Sequence, residues 1–506
     1  MKAVFRALLT LVVLSAIGFI ACTKRTVADP ANVSFPWVRL ATAEVDSWRT
    51  PETALRNGNW RVLALVSEGL TRLQVTDNGT RLVGNLAQSW VRIDPTHWLF
   101  TLREGLRWSD GTLVTPSQIV ESWHERIASC KKYPSGDVWK AIRNAVAHCQ
   151  GKAAFRDVGL TVESSTDIQV TTVSPDHFLP FLFAHPATWP TRSNQDFKIT
   201  LGSFFQGGDD HGEFFRFIRN KHALVSSRLA GVEIRDVPSI PVRTQLFADR
   251  EIDIVDDLTA EGASRLMKSP ELKLFPTSDI VSLIFKNTRK PFHLSQIRKA
   301  LVDAIDRSEP LKLQTLPLLN IERLRFDKNP SNTPRRYAVG TLPDLFKQLQ
   351  LDPANLRLWE ESAWKTFPRP TLTYSNPTVT RELAENFQAQ WIRTAHLFLD
   401  LQPAVAGSSI EVSLLSQTLF RPHDFFRRFH SESPANLTLW KNSAFDQWVS
   451  TDSEESLAKM EQILVDDEAI VVPLYRVARC ALVSSRIRNL AWNPASYWDL
   501  RDVTVE

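Results

Sequence analysis

Apolar and polar positions recur along this chain in two rhythms, and the switch from one to the other marks out its elements. In THWLFTL, residues 96–102, the side chains alternate with the period of two that belongs to a half-buried strand. The run that follows, LREGLRWSDGTLVTPSQIVESWHERI (102–127), reads as a strand, a tight turn at Asp110-Gly111, a second short strand and a helix start. Thr115 is placed to cap that helix, with Pro116 at its first position and Gln118 at its third, a capping box. Further along, SIPVRTQLFADREIDIVDDL predicts a helix running into a strand from Glu251 to Val255. QIRKALVDAIDRSE predicts an amphipathic helix with Ile297, Ala300, Leu301 and Ile305 on its apolar face. Another helix covers Arg381 to Ala395, and SLAKMEQILVDDEAIVVPLY predicts a helix followed by a buried strand. Helical and strand-like runs alternate throughout, without internal repeat, which argues for an α/β or α+β architecture.

The N-terminus follows neither rhythm. Lys2 and Arg6 precede a 15-residue apolar run from Ala7 to Ala21, interrupted only by Thr10 and Ser15, the pattern of a secretory signal and too short to span a bilayer of about 30 Å comfortably. Phe19-Ile20-Ala21-Cys22 resembles the lipobox of bacterial lipoproteins, in which the cysteine is acylated and becomes the mature N-terminus; Phe19 departs from the usual Leu. The competing reading is a plain cleaved signal with a cysteine nearby. A polar linker, Thr23 to Ser34, follows.

With 506 residues and 43% apolar content the chain can bury several cores, and its length suggests two to four domains. Losing Lys2 and Arg6 with the signal brings 60 basic residues to 58, against 56 acidic. That near-neutral balance, with no basic tract, excludes nucleic acid as an expected partner. Beyond Cys22 there remain Cys130, Cys149 and Cys480; the first two bracket a polar segment, and an exported compartment permits a disulfide between them, although spacing does not establish it. No CxxC, GxSxG, HExxH, GxxxxGK[ST] or GxGxxG occurs, so zinc, hydrolase and nucleotide routes lack their local geometry. In GGDDHGE, Asp209, Asp210, His211 and Glu213 offer oxygen and imidazole ligands, but glycine flanks and dense charge suit a solvated loop better than a metal site. His423 reads as a loop histidine, and no cofactor is called for.

Eight segments in a fixed order carry a resemblance: LVSEGLTRL, NLAQSW, FTLREGLRWSDGTLVTPSQIVESW, REIDIVDDL, RKPFHLSQIRKALVDAIDR, NLTLWKNSAFDQWV, AIVVPLY and SYWDLRDVTV. Together they resemble bacterial extracellular solute-binding proteins of family 5, the oligopeptide-binding proteins of peptide ABC importers. The resemblance implies a two-lobe periplasmic-binding-protein fold, class II and peptide-binding type, with an extra subdomain on lobe I. Lobe I is then discontinuous (23–67, 191–262 and 470–506), the subdomain is 68–190 and lobe II is 263–469. It implies no catalysis, a monomer, an ABC permease with its ATPase as partner, and a place in the periplasm or cell envelope as a membrane-anchored lipoprotein through Cys22.

In such proteins the ligand lies extended, bonded through its backbone to strands of both lobes. The resemblance carries the lobe I clasp onto Leu55, Arg56 and Asn57, and the lobe II clasp onto Leu414, Leu415 and Ser416, with Gln417 following. Where relatives place an aspartate for the peptide's α-ammonium, this sequence has Thr418, with Arg421 after it; Asp424 is a possible substitute. A closed cleft that leaves an ammonium unpaired costs several kcal/mol. An atypical or anionic peptide, with Arg56 or Arg421 as counter-charge, is therefore an expected ligand. Trp48, Trp60, Trp139 and Trp440 are either cleft lining or ordinary packing. The alternative function is a lipid-anchored interaction protein that keeps the fold but has lost or changed peptide binding; for a third class, an enzyme, no residue constellation speaks.

Overall fold

Among the described residues eleven strands collect into one mixed sheet. The computed structural model describes residues 35–506 except 44–48, 58, 77–78, 130–133, 177, 193–195, 208–213, 257, 259, 267, 287–291, 313–317, 321–369, 375–378, 396, 405–411, 419–421, 434–435, 450 and 452. The sheet's strands, in chain order, are β1 (Trp37–Thr42), β2 (Phe204–Gln206), β3 (Phe214–Arg219), β4 (Gly231–Asp236), β5 (Ile254–Val255), β6 (Leu272–Phe285), β7 (Leu318–Asn320), β8 (Thr371–Tyr374), β9 (Asp400–Pro403), β10 (Val412–Thr418) and β11 (Val471–Val483). Across the sheet they stand in the order β9-β8-β10-β6-β11-β5-β1-β4-β3-β2, with β7 added to β11.

β6 and β11 are the long strands, and they serve two cores. Leu272–Pro276 pair with Leu482–Ala478, and Ile280–Ile284 pair with Arg476–Val471; between these stretches the register shifts. In the first stretch Ala481 and Val483 enter a core with β1, β4 and the helices α1 (Pro51–Asn57) and α2 (Trp60–Val66). In the second, Val281, Leu283, Leu474 and Tyr475 enter a different core. The shift falls at Pro276, which has no N–H to give the ladder. Side chains supply the missing bonds: Thr277 Oγ1 donates to the Val477 carbonyl (2.8 Å) and accepts from the Asp279 N–H (3.0 Å), and Ser278 Oγ donates to the Pro494 carbonyl (2.6 Å). Two lobes thus share two strands with a kink between them.

A separate antiparallel sheet (Ala87–Arg92, His97–Leu102, Leu160–Val162, Asp167–Thr171) packs on helix α3 (Pro116–Ala128) around Trp98, Phe100, Trp108 and Trp123. His97–Leu102 alternates burial residue by residue, and α3 carries the expected capping box between Thr115 and Gln118. The second short strand expected after Asp110-Gly111 does not extend: it is a single bridge, Arg107 to Leu113, around a turn with Gly111 at φ +88°. The edge that would have continued it is committed elsewhere, because Ser109 exchanges backbone and side-chain bonds with Thr200 (2.9 and 3.1 Å) and Arg192 lies over the Trp108 ring at 5.4 Å. This corner docks the small sheet onto the stretch that leads into β2.

Helix α4 (Ile240–Ala248) forms as expected, but the strand after it is only Ile254–Val255, not Glu251–Val255. Arg250 takes φ +61°, which breaks extension. The Asp253 carboxylate accepts from the Arg39 N–H, Arg39 Nε and Nη2 and Arg486 Nε, a side-chain substitute for further pairing. Helix α5 (Ser295–Asp303) buries Ile297 and Leu301 but stops short of Glu309, because the Asp306 N–H donates to Gln390 Oε1 on α6 (Val379–Ala395) and its carboxylate accepts from the Ser308 N–H. Helix α7 (Glu454–Glu461) runs through a wide π-turn, Gln462–Asp467, into β11, the helix-to-buried-strand passage expected there.

Candidate functional site

β10 is flanked unequally. Along its whole length, Val412 to Thr418, it pairs antiparallel with β6, from Phe285 back to Asp279. On its other side β8 runs parallel and reaches only Val412, Ser413 and Leu414. Among the described residues no strand pairs with that side of Leu415, Ser416, Gln417 and Thr418. Their outward N–H and C=O groups form an open edge, the feature by which an extended chain joins a sheet. Leu414 is buried in the α5–α6 core, while Leu415 borders the cluster on the opposite face.

That opposite face draws on three parts of the chain. Ile280 and Ile284 of β6 pack with Phe425, Phe426 and Trp440, and with Phe178, which belongs to the small-sheet stretch. Phe178 is held by the Asp176 carboxylate, which accepts its N–H at 3.0 Å, while the Asp176 carbonyl accepts from Trp98 Nε1. Beside Ile280 stands Arg476 of β11, so Arg476, Ile280 and Gln417 form one row across three strands. Arg476 Nη1 donates to the Thr277 carbonyl at 2.8 Å, and burial pushes its guanidinium down from its ordinary value. On the other side of the kink the fully buried Asp256 anchors β11: Arg479 lies 2.6 Å away, Arg61 3.3 Å, and Trp498 Nε1 donates at 2.9 Å.

The residues expected from sequence fall unevenly on this frame. Leu414 to Thr418 are together in β10. Leu55, Arg56 and Asn57 are not extended: they form the last turn of α1, with Leu55 buried in the core, so they offer no strand edge. Helical hydrogen bonding commits their backbone locally. Trp60, Trp139 and Trp440 are all core residues. Arg421, Cys22, Trp48 and the GGDDHGE residues Asp209, Asp210, His211 and Glu213 lie outside the described residues, as does Cys130; Cys149 is disulfide-bonded, and Cys480 is a free, buried thiol. Among the described residues no group of three or more His, Cys, Asp or Glu could hold a metal ion, and no helix is long and apolar enough to cross a membrane. Arg476 and Phe178 went unread in the sequence; the available signal was an arginine inside the apolar run VVPLYRVARCALV.

Two lobes sharing two kinked strands, with an open strand edge beside the kink, define a solute-binding protein of the two-lobe kind. Residues 81–394 match the family described as bacterial extracellular solute-binding proteins, family 5 Middle. The chain is 24% identical over 494 residues to the dipeptide-binding protein DppE of Bacillus subtilis, covering 89% of this chain and 88% of that one. It is 30% identical over 470 residues to the periplasmic oligopeptide-binding protein OppA of Escherichia coli, with 81% and 82% covered. Among solved structures it superposes on the murein tripeptide-binding protein MppA in its unliganded open form, with TM-score 0.75, 19% identity, and 93% and 97% of the two chains covered. The chain belongs to the family 5 extracellular solute-binding proteins.

Proposed function

We propose that this protein captures a peptide or peptide-like solute between its lobes and delivers it to an ABC permease and its ATPase, held at the membrane by a lipid on Cys22. The observation that carries the reading is the open edge of β10 from Leu415 to Thr418. A ligand backbone laid along it gains main-chain hydrogen bonds whatever its side chains, so one edge accepts many peptides. On the lobe I side, with boundaries 23–67, 191–262 and 470–506, the reading sets Arg56 and Asn57, exposed at the end of α1, against the ligand. A ligand touching both lobes favours the closed arrangement by its differential affinity alone. No bond is made or broken in this cycle.

A thermal-shift screen of the purified protein against di- to pentapeptides tests it. Binding stabilises the folded form by about 2.7 kcal/mol at 100 times Kd, a clear rise in melting midpoint. Mass spectrometry of material released by mild denaturation should find a co-purified peptide. A folded protein silent to the whole set overturns the reading in favour of an interaction role.

A further inference from the structure

The small-sheet part of the chain holds two histidines that the β10 edge does not use. His124 lies on α3, and His148 lies in the short helix Ala145–Cys149, whose Ala145 packs into the same core as Trp123 and Ile127 of α3. That helix ends in a tight turn: the Gly151 N–H donates to the His148 carbonyl and the Lys152 N–H to that of Ala147, with Gly151 at φ +74°. Glycine takes this backbone angle without a Cβ clash. The reversal brings the Ala153 carbonyl to 2.8 Å from His148 Nδ1 and stacks Phe155 on His124, with ring centroids 4.0 Å apart. Cys149, next to His148, is disulfide-bonded, so this end of the helix is also tied covalently.

The bond to Ala153 decides the tautomer of His148. A carbonyl oxygen only accepts, so Nδ1 carries the proton and Nε2 of the neutral ring keeps a bare lone pair. That Nε2 is buried and has no hydrogen-bond partner. Buried acceptors in folded proteins are nearly always paired, so this one calls for an occupant. The rings around it are Phe155, at 5.6 Å between centroids, which offers no donor, and a second imidazole, His124, at 5.1 Å with 45° between the planes.

Two imidazoles at this separation suit one shared ion. A zinc-like ion stands about 2 Å from each ligating nitrogen and therefore about 3.2 Å from each ring centre; at the tetrahedral angle the two centres are about 5 Å apart. A histidine that ligates a metal commonly donates its other N–H to a backbone carbonyl, the bond that His148 makes to Ala153. Imidazole nitrogens select zinc, nickel and copper over magnesium and calcium, which take oxygen ligands. Both histidines are half-buried, at the surface of this part of the chain.

We infer that His124 and His148 are the two protein ligands of a divalent late first-row transition ion, with water in its remaining positions. Two ligands make an exchangeable site. When filled, it clips α3 to the helix Ala145–Cys149. The inference does not depend on the peptide reading of β10.

The test uses tag-free, EDTA-treated and dialysed full chain, titrated by calorimetry with ZnCl₂, NiCl₂ and MgCl₂. His148→Asn keeps a donor for the Ala153 carbonyl while removing Nε2; His124→Gln removes the second ring. Wild type is expected to bind one equivalent of Zn²⁺ or Ni²⁺ and no Mg²⁺, and each variant to lose about tenfold or more in affinity. Cu²⁺ on wild type should show two imidazole nitrogens in pulsed electron paramagnetic resonance, and fewer in either variant, a readout that a loss of packing alone would not give. His211→Gln, in the GGDDHGE segment, should bind as wild type does. No binding of Zn²⁺, Ni²⁺ or Cu²⁺ by wild type overturns the inference, as does affinity unchanged in both variants or lost only in His211→Gln. Should His148→Asn fail to fold, His124→Gln decides alone by the same two measurements.

Discussion

Arg476 and Thr277 hold the kink in β6 from both sides: the arginine donates to the Thr277 carbonyl at 2.8 Å while Thr277 Oγ1 donates to the Val477 carbonyl, also at 2.8 Å. The pair replaces the ladder bonds that Pro276 and the register shift remove, so the strands can bend there without leaving backbone groups unmet.

Thr277→Val should therefore weaken the crossing between the lobes. It leaves the Val477 carbonyl and the Asp279 N–H without their partner, a cost of about 1–2 kcal/mol. Urea unfolding should show a lower midpoint with an unchanged slope; an unchanged midpoint would mean that water replaces the hydroxyl at no cost.

Phe178 links the small-sheet stretch to the lobe II cluster beside Ile280. Phe178→Ala should cost about 3 kcal/mol in stability. It should also broaden the distribution of distances between spin labels on the two lobes in ligand-free protein. A stability loss with an unaltered distance distribution would make the contact ordinary packing.

His185 sets a pH dependence. Burial holds its imidazole down at about 4; its Nδ1 accepts from the Ala187 N–H and Trp60 lies edge-on at 5.3 Å. The folded form thus favours the neutral ring, while the unfolded chain takes up its proton near 6.5. Stability from this group is complete above about 6.5 and is lost as pH falls toward about 4. The loss is on the order of 2 kcal/mol, below what the full shift would give because the residue as a whole is only half-buried. Melting midpoints between pH 7 and 4 should fall more steeply in wild type than in His185→Gln.

Leu439 adopts φ +55° on the surface, in a loop tied down by the Asn436 side chain, which donates to the carbonyls of Phe429, His430 and Trp440. The left-handed conformation costs a leucine roughly 1 kcal/mol relative to glycine. Leu439→Gly should raise the melting midpoint by a few degrees at most; a fall would show that the exposed leucine has a stabilising contact.

Local order along the chain was legible because it depends on neighbours. The alternation of 96–102, the Thr115 capping box and the apolar stripe of α5 each arise within one or two turns and were met. What failed did so where a distant group intervened: Asp253, gripped by Arg39 and Arg486, keeps the expected 251–255 strand from starting before Ile254, and Thr200 claims the corner at Ser109. The Leu55–Asn57 stretch became helix instead of strand edge, since its burial against the β1 core is a tertiary matter.

The sequence alone determined that the chain is a family 5 solute-binding type with alternating α and β elements, because burial period and word order survive without coordinates. Only the tertiary structure decided that, among the described residues, no strand pairs with one side of β10 beyond Leu414, and that Arg476 stands in line with Gln417. Strand neighbours and unpaired charges are properties of residues far apart in the chain, here Gln417, Ile280 and Arg476, brought abreast by register.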